Sequence, residues 1–140
     1  MYAEFDDTLV TGNEMIDSQH RELIGKINDL LKSCEEETDL RAAVKMLNYL
    51  ADYTEYHFGE EEALQAEIGY PGIEEHKKKH EELRKTVEEL HEMLEEQEGP
   101  TKAFVDQVNK NVTEWLYYHI RSFDRSVAEY KFMRNNEERL

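Results

Sequence analysis

Apolar residues recur at alternating steps of three and four along four long stretches of the chain. This spacing places them on one face of an α-helix, as in helices that bury a stripe in a bundle. Polar and charged residues fill the positions between them. The pattern predicts four helices, at residues 17–34, 40–68, 73–97 and 101–120.

Capping and breaking residues mark the ends of these helices. Asp17 and Thr101 are predicted N-caps, since an aspartate or threonine side chain can accept a hydrogen bond from the first turn. Gly69 with Pro71 predicts a tight turn between the second and third helices, and Gly99–Pro100 ends the third. Because such short connections join neighbouring helices, we expect these helices to run antiparallel.

The chain of 140 residues is predicted to be one all-α domain, 1–140, with the architecture of an antiparallel up-down-up-down four-helix bundle. Residues 1–16 show no sustained period and are predicted to form an irregular N-terminal arm on the bundle, which spans 17–120. The acidic run at 35–39 predicts a loop. Residues 124–134 predict a short C-terminal helix followed by a fraying charged tail.

Several polar side chains interrupt the apolar stripes at inward positions. Five of the six histidines lie there, at least one on each helix, together with one glutamate. Since the helices alternate in direction, these residues fall toward the same end of the bundle. Left unpaired, each would cost about 1–3 kcal/mol, a sum comparable with the stability of a small domain. A metal centre would satisfy them, and its candidate ligands are His20, His57, Glu61, His76, His80 and His119.

Asp124 and His91 need separate arguments. Asp124 follows His119 by five residues, which on a regular helix places it about 140° away around the axis. It can join the candidate ligands only if the helix breaks between them, and Ser122 offers a local cap for such a break. His91 lies eleven residues beyond His80, about 16 Å along the axis, and is predicted to lie at the surface.

The donor set indicates which metals fit. Histidine with carboxylate suits iron, copper or zinc, and the lack of a thiolate near the cluster argues against a structural zinc or iron–sulfur site. Seven ligands, counting Asp124, exceed what one ion takes from a protein, so two ions sharing carboxylates fit better. The di-iron carboxylate bundles need paired Glu-x-x-His motifs, which the candidate ligands here do not form. The motif His76-Lys-Lys-Lys-His80 lacks the glutamate of a zinc protease helix. Neither of these two classes of metalloprotein therefore fits the sequence.

The charge and the cysteine content of the chain indicate which binding partners and which cellular compartment are compatible with it. The net charge of −16 disfavours nucleic acid and anionic membranes, which are themselves polyanions. The single cysteine, Cys34, cannot form an intramolecular disulfide, and the acidic N-terminus does not resemble a signal peptide. No stretch approaches the roughly 20 apolar residues that span a bilayer. We therefore expect a cytoplasmic protein.

The combined pattern resembles the hemerythrin family, in particular its bacterial single-domain members, over most of the chain. Two positions depart from what those members usually carry: Phe5 stands in place of a tryptophan, and Gln65 in place of a methionine. Gln65 adjoins an inward position and is expected to alter pocket polarity or helix packing. The matching motifs are Gly12-x-x-x-Ile16-Asp17-x-Gln19-His20, His57-Phe58-x-x-Glu61-Glu62-x-Leu64, Gly69-Tyr70-Pro71, His76-x-x-x-His80 and Trp115-Leu116-x-x-His119-Ile120-x-x-x-Asp124.

The resemblance implies two iron ions bridged by an oxo or hydroxo group and by the carboxylates of Glu61 and Asp124. The two-histidine iron would keep one open position for dioxygen, inside a dry pocket lined by Leu23, Leu116 and Ile120. The five histidines would divide between the two irons, with His76, His80 and His119 on one and His20 and His57 on the other.

Reversible dioxygen binding is the function that the resemblance implies, for storage, scavenging or delivery to an oxygen-consuming protein partner. The protein would then be a monomer and not an enzyme, with at most a weak peroxidase-type activity. Two alternatives remain: a di-iron enzyme that detoxifies peroxide or nitric oxide, and an oxygen or redox sensor domain. Steady-state consumption of peroxide or nitric oxide would indicate the enzyme, whereas release of bound dioxygen under vacuum would indicate the carrier.

Overall fold

Six α-helices and no strand occur in the computed structural model, which describes residues 2–36, 40–97 and 99–135. The predicted all-α bundle with a C-terminal helix is therefore confirmed. Across the described residues, none of the helices combines the length and the apolar character needed to cross a membrane. The helices are α1 (Glu14–Glu36), α2 (Leu40–Ile68), α3 (Ile73–Glu96), α4 (Lys102–Val108), α5 (Trp115–His119) and α6 (Arg125–Asn135).

α4, α5 and α6 form one continuous helix, which we call the long fourth helix. Two π-helical segments, Asn109–Glu114 and Ile120–Asp124, join its three α-helical parts. At the second segment the N–H of Arg125 donates to the carbonyl of Ile120, a bond that spans five residues. The bundle closes because α1 packs on α2, α2 on α3, and α3 on α4, which also contacts α1.

The helix does not break between His119 and Asp124, although a break was the condition under which Asp124 was expected to join the candidate ligands. Ser122 caps no helix there, since its hydroxyl donates to the carbonyl of Tyr118, one turn earlier in the same helix. The helix widens into a π-turn instead of ending, so that the predicted C-terminal helix follows without interruption as α6. A π-turn accommodates the extra residue while keeping the backbone hydrogen-bonded, which a break would not do.

The start of α1 also differs from the prediction. α1 begins at Glu14, and the side chain of Asn13 accepts a hydrogen bond from a first-turn N–H. Asp17 lies inside the first turn, where its carboxylate accepts from the N–H and hydroxyl of Thr11 and from the N–H of Gly12. The predicted cap at Asp17 is wrong because Asn13 satisfies the helix end. Asp17 holds the N-terminal arm against the helix instead.

The N-terminal arm, predicted to be irregular over 1–16, contains a short 3-10 turn at Asp7–Leu9. Leu9 is fully buried in the large apolar cluster of the bundle. The arm also hydrogen-bonds to the long fourth helix, since the N–H of Glu4 donates to the hydroxyl of Tyr117 at 2.8 Å. These contacts fix the arm on the bundle.

The turn between α2 and α3 follows the prediction. Gly69 adopts a φ of 66°, and the N–H of Tyr70 donates to the carbonyl of Gln65 at 2.9 Å, a Schellman-type cap that a glycine permits. Two other predicted features lie outside the described residues: positions 37–39 of the acidic loop and positions 136–140 of the charged tail.

Two buried apolar clusters lie on either side of the polar inward positions. The large cluster fills most of the bundle, and a small one packs around Ile16, Leu64 and Val127. Along α1, His20 stands between Ile16 of the small cluster and Leu23 of the large one. Apolar layers therefore enclose the polar side chains from both directions and keep water away from them.

Candidate metal centre

Seven buried polar side chains meet inside the bundle, and each of its four long helices contributes at least one of them. Each is at most 2 % exposed. The structure thus brings together all seven side chains that the sequence analysis selected. They are His20 from α1, His57 and Glu61 from α2, His76 and His80 from α3, His119 from α5, and Asp124 from the second π-helical segment.

The potential ligand atoms form two groups that share two carboxylates, those of Glu61 and Asp124. Within each group the atoms lie within 4.8 Å of one another. One group contains three histidines and the other contains two. The three-histidine group adds His76, His80 and His119 to the carboxylates, and the two-histidine group adds His20 and His57.

The two shared carboxylates each turn one oxygen toward each group. Oδ2 of Asp124 lies 2.7 Å from Nε2 of His20, whereas Oδ1 lies 2.8 Å from Nε2 of His76. Oε2 of Glu61 lies 3.3 Å from Nε2 of His57, whereas Oε1 lies 2.8 Å from Nε2 of His76. Each carboxylate therefore offers separate oxygens to two sets of histidines.

The π-helical segment Ile120–Asp124 explains how Asp124 reaches this place. In a regular α-helix, residues five apart lie about 140° apart around the axis. A π-turn closes over five residues and brings both ends to one face. Oδ1 of Asp124 accordingly lies 3.1 Å from Nε2 of His119. Apolar periodicity could not reveal this, because it assumes a constant turn angle.

The contacts of His76 show that hydrogen bonds alone cannot satisfy this cluster. Its Nε2 lies 2.8 Å from Oε1 of Glu61, 2.8 Å from Oδ1 of Asp124 and 2.9 Å from Nε2 of His119. One ring nitrogen carries at most one proton and cannot serve three neighbours. Both oxygens of Glu61 and Nε2 of His80 are buried without an aligned hydrogen bond. Nitrogen and oxygen lone pairs crowded in this way fit bound cations, and this donor set suits iron, copper or zinc.

Burial and neighbouring charges act in opposite directions on these groups. Burial alone would lower the pKa of His76, but the hydrogen bond to Asp124 and the negative charges of the adjacent Asp124 and Glu61 carboxylates raise that pKa to about 9. Burial, followed by the positive charges of His76 and His119, lowers the pKa of His80 to about 2. Burial would raise the pKa of Asp124, yet the charge of His119 holds it well below its usual value. The carboxylates therefore favour a positive charge between them.

Three of the five histidines have a polar partner at Nδ1, the ring nitrogen that faces away from the centre. Such partners fix the orientation and tautomer of a ligating imidazole. Nδ1 of His20 and of His119 is buried without one. The three contacts are Gln19 Oε1 to His57 at 2.7 Å, Glu62 Oε2 to His80 at 2.7 Å, and Gln65 Nε2 to His76 at 2.8 Å.

No contact with a ligand histidine was predicted for these three partners. Gln19 and Glu62 each directly adjoin a candidate ligand in the chain, and neighbours in a helix do not face the same way. Their contacts cross between helices, so the motifs that include both residues did not indicate these contacts. Gln65 does carry a signal, because it follows Glu61 by four residues and lies on the same face. It is fully buried at the centre and does not merely adjoin an inward position.

Aromatic rings stack on two of the histidines, His80 and His119. The ring of Phe58 stacks on His80 with centroids 3.7 Å apart and an interplanar angle of 7°. Trp115 stacks on His119 at 4.5 Å and 11°, while its Nε1 donates to Glu82. These stacks restrict rotation of both imidazoles. Phe58 was not among the predicted inward positions because it adjoins one of them in the chain.

The three residues predicted to line an oxygen pocket, Leu23, Leu116 and Ile120, are each at most 3 % exposed and belong to the large apolar cluster.

His91 belongs to neither group of ligand atoms. It is half-buried at a surface cavity of about 290 Å³ that Arg84 also lines.

Comparison with known proteins places this arrangement in a family. The family model described as the hemerythrin HHE cation binding domain matches residues 11–130. The chain is 36% identical over 126 residues to the bacteriohemerythrin of Stenotrophomonas maltophilia (strain R551-3), covering 89% of this chain and 78% of that protein. It is 30% identical over 126 residues to the bacteriohemerythrin of Clostridium acetobutylicum, covering 88% of this chain and 96% of that protein.

A solved crystal structure of a leucine-to-phenylalanine mutant protein shares the fold. It superimposes with a TM-score of 0.70 at 23% sequence identity, covering 82% of this chain and 85% of that one. The family match extends over most of the chain, and its range includes all seven buried polar side chains. The chain therefore belongs to the hemerythrin family.

Proposed function

We propose that the seven buried side chains hold two iron ions, with Glu61 and Asp124 as shared ligands, and that this centre binds dioxygen reversibly. The observation that carries the proposal is the division of each carboxylate, with one oxygen toward the three-histidine group and the other toward the two-histidine group. Membership of a family described as cation-binding, with relatives named bacteriohemerythrin, supports it.

The unequal groups suggest where dioxygen binds. One group offers five ligand atoms and the other four, so the ion held by His20 and His57 has one protein ligand fewer. An additional small ligand therefore fits best on that side. Iron, when bound, supplies the reversible electron transfer that dioxygen binding requires.

The surrounding residues keep this chemistry reversible. Leu23, Leu116 and Ile120 are buried and offer no proton to a ligand beside them. Water and protons are therefore scarce at the centre, which slows the irreversible reduction of a bound oxygen molecule. In this proposal the protein is a cytoplasmic monomer that stores dioxygen, scavenges it or passes it to an oxygen-consuming protein, and it needs no catalytic turnover.

Metal analysis and an oxygen-release experiment test the proposal. Purified protein should contain two irons per chain, and reduced protein exposed to air should form a coloured adduct that is lost under vacuum and returns with air. Zinc, a single metal ion or no metal would overturn the di-iron centre. Sustained consumption of peroxide or nitric oxide, without a stable oxygen adduct, would overturn the carrier function and indicate a detoxifying enzyme with the same centre.

A further inference from the structure

Gln65 is a fully buried amide one helical turn beyond Glu61, and one of its two polar groups has no partner. Its Nε2 lies 2.8 Å from Nδ1 of His76, whereas its Oε1 is buried without a hydrogen bond. A buried polar atom left unsatisfied costs about 1–3 kcal/mol. A methionine would fill a similar space without that cost. Because burial of this amide has such a cost, we expect it to have a role at His76.

The proposed role of His76 as a ligand determines what it needs from this amide. Its Nε2 faces the two shared carboxylates, so a metal ion there takes the lone pair of Nε2 and leaves the ring proton on Nδ1. That proton needs an acceptor. A half-turn about the terminal bond of Gln65 exchanges the amide nitrogen and oxygen with little other movement. Oε1 then accepts from Nδ1, and the unpaired oxygen gains a partner.

The other two outer contacts already have this polarity. Glu62 offers only acceptor oxygens to His80, and Gln19 presents Oε1 to His57. With the amide of Gln65 turned, three histidines would each donate from Nδ1 to an oxygen. Two of these three histidines, His76 and His80, belong to the three-histidine group. Of their two partners, only Gln65 can be replaced by an apolar residue of similar length without removing a charge.

We propose that Gln65 is a positioning residue for the metal ion on the three-histidine side of the centre, an inference that rests on the proposed di-iron function. By accepting a hydrogen bond from Nδ1 of His76, it holds the tautomer and the ring orientation that direct Nε2 toward the metal. The hydrogen bond also makes Nε2 more basic. Gln65 therefore tightens metal binding on that side and favours the higher oxidation state, which lowers the reduction potential.

Anaerobic titration with ferrous iron against a competing chelator tests this role. We expect Gln65→Met to weaken the binding of one of the two ions about 10-fold to 100-fold and to raise the reduction potential of the loaded protein. Gln65→Glu keeps an acceptor oxygen and should restore the affinity. Gln19→Met is the matched control, since it makes the same change beside His57 and should weaken the other ion. The double methionine variant should weaken both.

The outcomes separate this inference from the proposed function. If wild-type protein fails to bind two ferrous ions, the proposed function is wrong. If wild type binds two, and Gln65→Met binds both with unchanged affinity and potential, the role of Gln65 is wrong. Thermal melting of the metal-free variants followed by circular dichroism identifies any variant that fails to fold.

A measurement on unsubstituted protein decides the question even if the variants do not fold. In zinc-loaded wild-type protein, magnetic resonance can follow the exchange of the Nδ1 protons with water. The Nδ1 proton of His76 should exchange more slowly than those of His20 and His119, which have no partner. Equal exchange rates at the three histidines would overturn the role of Gln65.

Discussion

The large apolar cluster and the metal centre occupy equivalent inward positions on the same helices, yet different interactions stabilise them. Leu47 and Leu90 in the cluster are fully buried, and burial of such a side chain contributes about 1.5–3 kcal/mol without any specific partner. His57 takes a corresponding position farther along α2, and His80 takes one nearer the start of α3. Burial of either imidazole is unfavourable unless each ring nitrogen is satisfied. The stability of the apolar cluster therefore depends on how completely its side chains fill the space. The centre instead requires particular polar atoms that point toward particular partners.

Removing a shared carboxylate should have the largest effect, because it affects both ions at once. We expect Glu61→Ala to lower the iron content from two per chain to one or none and to abolish the oxygen adduct. Both oxygens of Glu61 face histidines, and alanine replaces neither. Metal analysis and the optical spectrum of the purified protein measure this loss.

Glu67→Ala is the control for that change, since Glu67 lies on the same helix with its side chain exposed. It should keep both irons and the adduct. A Glu61→Ala protein that keeps two irons and the wild-type spectrum would show that the carboxylate is not shared.

A cavity in the apolar cluster should affect stability and leave metal content unchanged. Leu90 is 1 % exposed, so Leu90→Ala should lower the free energy of unfolding by about 2–5 kcal/mol. Chemical denaturation of metal-free protein measures the change. The folded variant should still bind two irons, because Leu90 belongs to the apolar cluster and provides no polar atom to the centre. Loss of an iron from folded Leu90→Ala protein would contradict the separation of the two regions.

Raising the pH should destabilise the metal-free protein through the centre and not through the apolar cluster. His76 has a pKa of about 9 in the fold against 6.5 as its ordinary value, so its stabilising contribution is complete below pH 6.5 and is lost as the pH rises through about 9. The lowered pKa of His80 changes the stability of the fold only below pH 6.5, and the lowered pKa of Asp124 changes it only in acid.

The free energy of unfolding of metal-free protein should therefore fall between pH 6.5 and pH 9 by of the order of 1 to 3 kcal/mol. Denaturation curves across this range measure it. His76→Gln, which cannot be protonated, should show a smaller fall. The fall that remains belongs to His57, whose pKa, despite burial, is raised by Glu61. A wild-type fall that persists in full in His76→Gln would assign the effect to other groups.

The smallest effect is expected at the histidine outside the centre. His91 is half-buried at the surface and belongs to neither ligand group. His91→Ala should change the free energy of unfolding by no more than about 0.5 kcal/mol and leave the iron content at two per chain. His20→Ala, assayed in parallel, should reduce the iron content. Equal losses in both variants would mean that histidine number, and not position, decides metal binding.

Apolar spacing was sufficient to predict the four-helix bundle and the inward positions of five histidines and Glu61, because a regular helix has a constant turn angle. It failed where the backbone departs from that angle. Asp124 was reachable only through a π-turn, and the start of α1 was misplaced because Asn13, not Asp17, caps the helix. Both errors concern local hydrogen bonds that compete with one another, and their outcome depends on the folded surroundings.

The sequence by itself determined the inward stripe of each helix, the six candidate ligands on those stripes and the family that the motifs resemble. These properties follow from periodicity and residue chemistry, which act along one helix at a time. Only the tertiary structure decided that each carboxylate presents separate oxygens to two histidine groups, and that Gln65 lies against His76. Contacts between helices depend on how the helices are rotated and offset against each other, and that packing is set by the whole bundle.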